Sequence, residues 1–202
     1  KMNPGSGFPV HPAWSSDGKK IAFAVRSNGN WLDFTSSTLW ITDVDMSAKT
    51  FANTKQIVAA DASRPTVTFP TFSPDSSWIA FERSTQARSR EAQSDIWLTS
   101  TDGATVIALD KANGTGTLAG AEASSTYEPT LMPVAAGGYF WMIVVGERTY
   151  GNTLTDTNPK TRHKQLWVVA IDAAPQAGKD PSHPAFWLPG QDPNNQNMRG
   201  EW

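Results

Sequence analysis

No cysteine occurs in the 202 residues. That excludes disulfides, thiolate metal sites, cysteine nucleophiles and covalent haem attachment. It leaves the compartment open. Charge is also scarce. Charged residues make up 18% of the chain and the net charge is -2, so there is no basic footprint for nucleic acid. Long apolar runs are missing too. The longest, Tyr139 to Val145, falls far short of the roughly 18 residues of a membrane span. The Gly-x-Ser-x-Gly elbow of α/β-hydrolases, the His-Glu-x-x-His zinc motif and the phosphate loop are all absent. No cofactor is expected.

Aromatic residues are plentiful: nine Trp and nine Phe lie among Ser, Thr, Gly and Pro. Many short strands joined by turns need this mixture. The strands repeat. His11-Pro12-Ala13-Trp14-Ser15-Ser16-Asp17-Gly18 leads into Ile21-Ala22-Phe23, and Phe69-Pro70-Thr71-Phe72-Ser73-Pro74-Asp75-Ser76 leads into Ile79-Ala80-Phe81. Pro12 and Pro70 are 58 residues apart. A degenerate third copy starts at Glu128-Pro129-Thr130-Leu131, with Gly137-Gly138 in place of the Asp-Gly turn. A fourth start is read at His183-Pro184-Ala185-Phe186. Each full copy carries a second landmark, an aliphatic-Trp-aliphatic phrase: Leu39-Trp40-Ile41, Ile96-Trp97-Leu98 and Leu166-Trp167-Val168.

Physically, each copy is a strand, a tight turn, a strand bearing Ile-Ala-Phe, a third strand on the Trp phrase and a weaker fourth. Four short antiparallel strands per repeat make a propeller blade, whose two faces are buried by its neighbours. The expected fold is all-β. Blade 1 covers about 9–60, blade 2 about 66–110 and blade 3 about 127–174, with the start of a fourth at 183–202.

The phrase Pro-x-aromatic-Ser-x-Asp-Gly-x-x-Ile-Ala-Phe followed by aliphatic-Trp resembles the TolB-like, WD40-like (PD40) propeller repeat. The likeness is strong over residues 9–110 and weaker over 127–190, where Ser-x-Asp-Gly is missing. It implies the fold and says little about activity. It also implies a bacterial envelope setting: periplasmic, cell-surface or secreted. Closed propellers have roughly four to eight blades. Three blades therefore imply further blades or a protein partner that completes the ring. The chain opens on Lys1 without an initiator Met and stops at Trp202 in mid-repeat. Both ends read as boundaries left by processing or by where the sequence was cut.

The blades span 55–59 residues, against roughly 40–45 for a compact one. The excess lies in three polar inserts, Ser27 to Ser37, Ser84 to Ser94 and Glu147 to Lys164, all between second and third strands. They should project from one face and could form a binding surface. Variable solvated loops are the plainer alternative. The second insert region carries Arg83, Arg88 and Arg90 and the third carries Arg148 and Arg162; these five are the candidate partner-binding residues. His11 and His183 precede equivalent prolines and His163 lies in the third insert. The three could ligate copper or zinc, although repeat duplication alone places two of them. Asp43-Val44-Asp45-Met46-Ser47 lacks the Gly and Glu of a calcium loop and reads as a turn. Asn113-Gly114-Thr115 has the form of a glycosylation acceptor but also reads as a turn.

The leading expectation is a non-enzymatic envelope scaffold that binds a protein or glycan through its inserts. One alternative is the propeller segment of a hydrolase or lyase whose catalytic part lies elsewhere. The other is a structural subunit of a large envelope assembly.

Overall fold

A computed structural model of the chain describes residues 5–158 and 160–202. It contains three four-stranded antiparallel sheets. The first is β1 (Phe8–Trp14), β2 (Lys20–Arg26), β3 (Ser37–Asp45) and β4 (Thr50–Val58). The second is β5 (Thr66–Phe72), β6 (Trp78–Ser84), β7 (Ser94–Ser100) and β8 (Val106–Ala108). The third is β9 (Thr126–Leu131), β10 (Tyr139–Gly146), β11 (Gln165–Asp172) and β12 (Phe186–Trp187). Within each sheet the strands follow chain order, as in a propeller blade. Strand β1 lies against β5, and β5 against β9, so the first strand of each blade is innermost.

The repeat phrase builds the first hairpin of blades 1 and 2 by the same bonds. Ser15 N donates to Lys20 O at 2.9 Å and Ser73 N to Trp78 O at 2.9 Å. The Ser15 hydroxyl donates to Asp17 at 2.6 Å, and the Ser73 hydroxyl donates to Asp75. The next residue turns left-handed, Gly18 at φ 69° and Ser76 at φ 61°. Glycine suits that turn because it has no Cβ to clash.

Alternate strand residues face opposite neighbours. Leu39, Ile41 and Ala22 pack with Val67, Phe72, Ile79 and Phe81 between blades 1 and 2. Ala80, Ile96 and Leu98 pack with Leu131, Phe140, Met142 and Val144 between blades 2 and 3. The far side of blade 1 carries its own cluster of Ile21, Phe23 and Val25 beneath Trp40 and Val44. Trp14 and Phe51 stand exposed at 53% and 40%. The three blades do not close a ring.

A bulge recurs in each innermost strand. Register shifts occur between Val10 and Ala13, between Thr68 and Thr71, and opposite Ile143 and Val145. The residue before each proline is left-handed: His11 at φ 49°, Phe69 at 48° and Glu128 at 47°. A further contact joins successive blades. The Ser37 hydroxyl donates to Val67 O and the Ser94 hydroxyl to Thr126 O, both at 2.7 Å.

The expected fourth start at His183 needs correction. Ser182 bridges Ile171, His183 N donates to Ala170 O at 2.9 Å, and Trp187 pairs with Trp167. The segment is therefore the outer edge of blade 3. The short connection from Asp172 reaches only the free edge of the strand it has just left. The next innermost position is taken by Asn197 to Trp202 instead. Asn197 Nδ2 donates to Gln165 Oε1 at 3.3 Å, where the serine contacts sit in the earlier blades. Arg199 is left-handed at φ 39°, like the pre-proline residues. Trp202 Nε1 donates to Thr130 O on β9 at 3.0 Å. Among the described residues no helix is long and apolar enough to cross a membrane.

Candidate binding site

All three inserts leave second strands and enter third strands, so they emerge on one side of the blades. There they touch in sequence. Ala87 N donates to Phe34 O at 2.9 Å and Gln86 Nε2 to Asp33 Oδ1 at 2.6 Å, joining the first insert to the second. Arg90 donates to Arg162 O, joining the second to the third. Between the second insert, the third insert and the 3-10 turn Gly120–Ser124 lies a cleft of about 920 Å³. Arg90, Glu147, Lys160 and Arg162 line it, with Tyr127 rising from β9 at its floor.

The floor is rich in buried ionisable groups. Arg162 Nη1 pairs with Glu122 Oε1 at 2.8 Å. Glu147 Oε1 meets Arg90 Nε at 3.5 Å and makes no hydrogen bond. Burial pushes the Glu147 carboxyl above the usual carboxylate range, against the pull of Arg90, Lys164 and Arg162. Tyr127 donates its hydroxyl to Ala92 O at 3.0 Å, and burial raises its phenol. Lys164 Nζ lies 4.6 Å from the Tyr127 ring centre. Nearby on β6, Glu82 is 2% exposed and accepts the Glu128 amide at 2.9 Å. Burial pushes its carboxyl up to about 7, with the Glu128 charge adding to the rise.

The five candidate arginines divide. Arg83 lies on β6, pairs with Asp61 at 3.2 Å and covers Trp97. Arg148 is buried, donates to Ala112 O at 2.8 Å and to Thr126 Oγ1, and lies over Trp167. Arg162 is buried in its Glu122 pair. These three are buried in contacts that hold the fold together, and Arg162 also lines the cleft. Arg88 and Arg90 are exposed.

The three histidines do not gather. His11 lies on an innermost strand between Phe34 and Phe69. His163 meets Gln196 at 3.2 Å, and His183 meets Asp172 at 3.0 Å on the outer edge of blade 3. His11 and His183 are therefore not equivalent. Among the described residues no group of three His, Cys, Asp or Glu could hold one metal ion. The Asp45 carboxylate caps its own turn, accepting Ser47 N and Ala48 N at 2.9 Å. Asn113 is buried and clips β7, accepting Ile96 N at 2.8 Å and donating to Ile96 O at 2.9 Å.

Sequence reasoning missed Glu82, Tyr127, Glu147 and Lys164. Glu82 had a readable signal: a carboxylate directly after Ile79-Ala80-Phe81 sits where a blade strand is buried on both faces.

No family model matches the chain, and no curated protein matches it. Among solved structures, a complex of BT0996 with RGII aligns at a TM-score of 0.50 and 14% identity, covering 96% of this chain and 59% of that one. A glycoside hydrolase aligns at 0.46 and 14% over the same shares. A protein from Agrobacterium tumefaciens assigned to TolB aligns at 0.46 and 17%, covering 86% of this chain and 49% of that one. The chain thus spans about half to three-fifths of these three structures. At such identities the likeness speaks for the fold alone, a β-propeller segment of three blades.

Proposed function

We propose that the chain is a TolB-like (PD40) propeller segment that works as a non-enzymatic binding scaffold of the bacterial envelope, periplasmic, cell-surface or secreted. Further blades, in the same chain or a partner, complete its ring. It grips a protein partner through the insert face. The observation that carries this reading is the cleft between the second and third inserts, where exposed Arg90 and Lys160 stand at the rim. Those cations suit an acidic side chain of the partner. A photo-crosslinking residue placed at Gln93 or Lys160 tests it in cells of the source organism. A discrete protein adduct that Arg90→Glu removes supports the reading. No adduct at either position, or one indifferent to Arg90→Glu, overturns it.

A catalytic reading, as part of a hydrolase or lyase, draws on one observation. Two carboxyls with raised proton affinity, Glu82 and Glu147, lie in the same blade-2/blade-3 region as the Tyr127 phenol. Carboxyls of this kind serve as general acids. Turnover of a polysaccharide or peptide, lost in Glu147→Gln, would favour it over the scaffold.

A further inference from the structure

The indole of Trp31 is 64% exposed in the first insert, and Leu32 beside it is 38% exposed. A lone exposed apolar side chain is ordinary on a protein surface. The loop that holds this pair is not ordinary. Asn28 clasps Thr35 with both ends of its amide: Nδ2 donates to Thr35 Oγ1 at 2.9 Å, and Oδ1 accepts Thr35 N at 3.0 Å. Asn30 Oδ1 accepts Leu32 N at 2.8 Å and Asp33 N at 3.0 Å, and Asn30 N donates to Asp33 O at 2.9 Å. Arg26 Nη1 donates to Asn28 O at 3.0 Å from the base of the loop, where its guanidinium lies 4.6 Å from the ring centre of exposed Phe8. Phe34 is buried, and its carbonyl accepts Ala87 N from the second insert. The backbone around Trp31 is thus fastened before any partner arrives, while the indole stays in water. A large aromatic side chain on a preorganised loop has little ordering left to lose on docking, and Trp is enriched among the residues that dominate interfaces.

Charge and distance say what docks there. The three inserts hold six Lys and Arg against four Asp and Glu, a net of +2, on a chain whose net charge is -2. Arg88 is exposed and forms no ion pair among the described residues. Arg90, at the rim of the cleft, follows Ala87 by three residues, which puts their Cα atoms at most about 11 Å apart. Trp31 precedes Phe34 by the same step, and Phe34 O and Ala87 N are 2.9 Å apart. The indole loop and the cleft rim therefore lie within roughly 30 Å, about the width of the 800 Å² patch that one partner of a standard interface covers. A bilayer fits less well. It would meet only a few apolar side chains at weak net charge, beside a concave cleft floored by ionisable groups.

We infer that Trp31 is the apolar anchor of the insert face, docking into an apolar pocket of a protein partner whose acidic side chains meet Arg88 and Arg90. This rests on the scaffold function proposed above, and it names the residue on which the affinity for that partner is concentrated.

The test places a photo-crosslinking residue at Leu32 of the full chain, in cells of the source organism, and compares it with the one at Lys160. The protein captured at Leu32 is identified by mass spectrometry, purified and titrated against the chain. Trp31→Ala is expected to abolish the Leu32 adduct and to weaken the purified complex about thirtyfold or more. Met46→Ala, at a 67% exposed residue on the opposite end of blade 1, should leave the affinity unchanged. Circular dichroism verifies that Trp31→Ala keeps the fold. The anchor is overturned if Leu32 captures no protein, or if the captured protein binds Trp31→Ala like the parent chain. It is also overturned if the chain instead sediments with phosphatidylglycerol vesicles in a Trp31-dependent way. An adduct at Lys160 that Arg90→Glu removes and Trp31→Ala does not would refute the anchor and keep the cleft. A Trp31-dependent adduct at Leu32 with none at Gln93 or Lys160 would refute the cleft and keep the anchor.

Discussion

Glu82→Gln should stabilise the protein at alkaline pH and do nothing at acidic pH. Glu82 is buried between blades 2 and 3, and its carboxyl is pushed up from 4.5 to about 7. The folded state therefore holds a proton that the unfolded state releases. Where the folded state binds more protons, stability falls as pH rises. For Glu82 the fall begins near pH 4.5 and is complete above pH 7. The shift corresponds to about 3 kcal/mol, since each pKa unit is worth about 1.4 kcal/mol. Glutamine removes the ionisation and keeps a carbonyl oxygen to accept the Glu128 amide, which Glu82 accepts at 2.9 Å. Urea unfolding followed by tryptophan fluorescence at about pH 4.5, 6 and 8.5 reads the difference. The two proteins should match at the lowest pH, and the variant should lead by up to about 3 kcal/mol at the highest. A gap that does not change with pH would refute the reasoning, as would a variant weaker at alkaline pH. Either result would mean that Glu82 is ionised and satisfied in the fold.

Arg148→Ala strands the Ala112 carbonyl and the Thr126 hydroxyl and empties the space over Trp167. It should cost about 3–5 kcal/mol in denaturant unfolding; an unchanged midpoint would place Arg148 outside the packing that holds blade 3. Gly18→Ala tests the repeat turn. A Cβ there meets nothing within 4 Å, so only the left-handed φ of 69° is penalised. The loss should be about 1 kcal/mol, or about 2–4 °C in Tm by calorimetry; a loss several times larger would mean that the turn makes contacts beyond its own backbone.

The blade plan was legible because its signals are local. Ser15 and Asp17 bond within one turn, and Ser73 and Asp75 repeat the geometry. The insert boundaries followed from the strand phrases that flank them. The fourth start was misplaced because His183-Pro184-Ala185-Phe186 matches the repeat in letters, while pairing with β11 depends on a connection too short to leave blade 3. The arginines misled for a similar reason. Arg83 continues a strand, and Arg148 and Arg162 lie in an insert that folds back under its neighbours. Polarity along the chain reports none of this, since the groups that bury them, Thr126, Glu122 and Asp61, are 22 to 40 residues away.

The residue before each repeat proline shows where reading letters stops being enough. It is His, Phe and Glu in turn, which looks like an unconstrained position. The backbone is the same at all three, left-handed within two degrees. Glycine would adopt it at lower cost, yet each blade places a large side chain there, at the bulge of its innermost strand. Arg199 takes the same backbone after blade 3, followed by Gly200 in place of proline. The glycine has a steric reason: a Cβ at Gly200 would come 2.6 Å from Ile143 Cγ2. Arg199 is therefore held by the fit of Gly200 against β10 as well as by its place over the Phe69 ring.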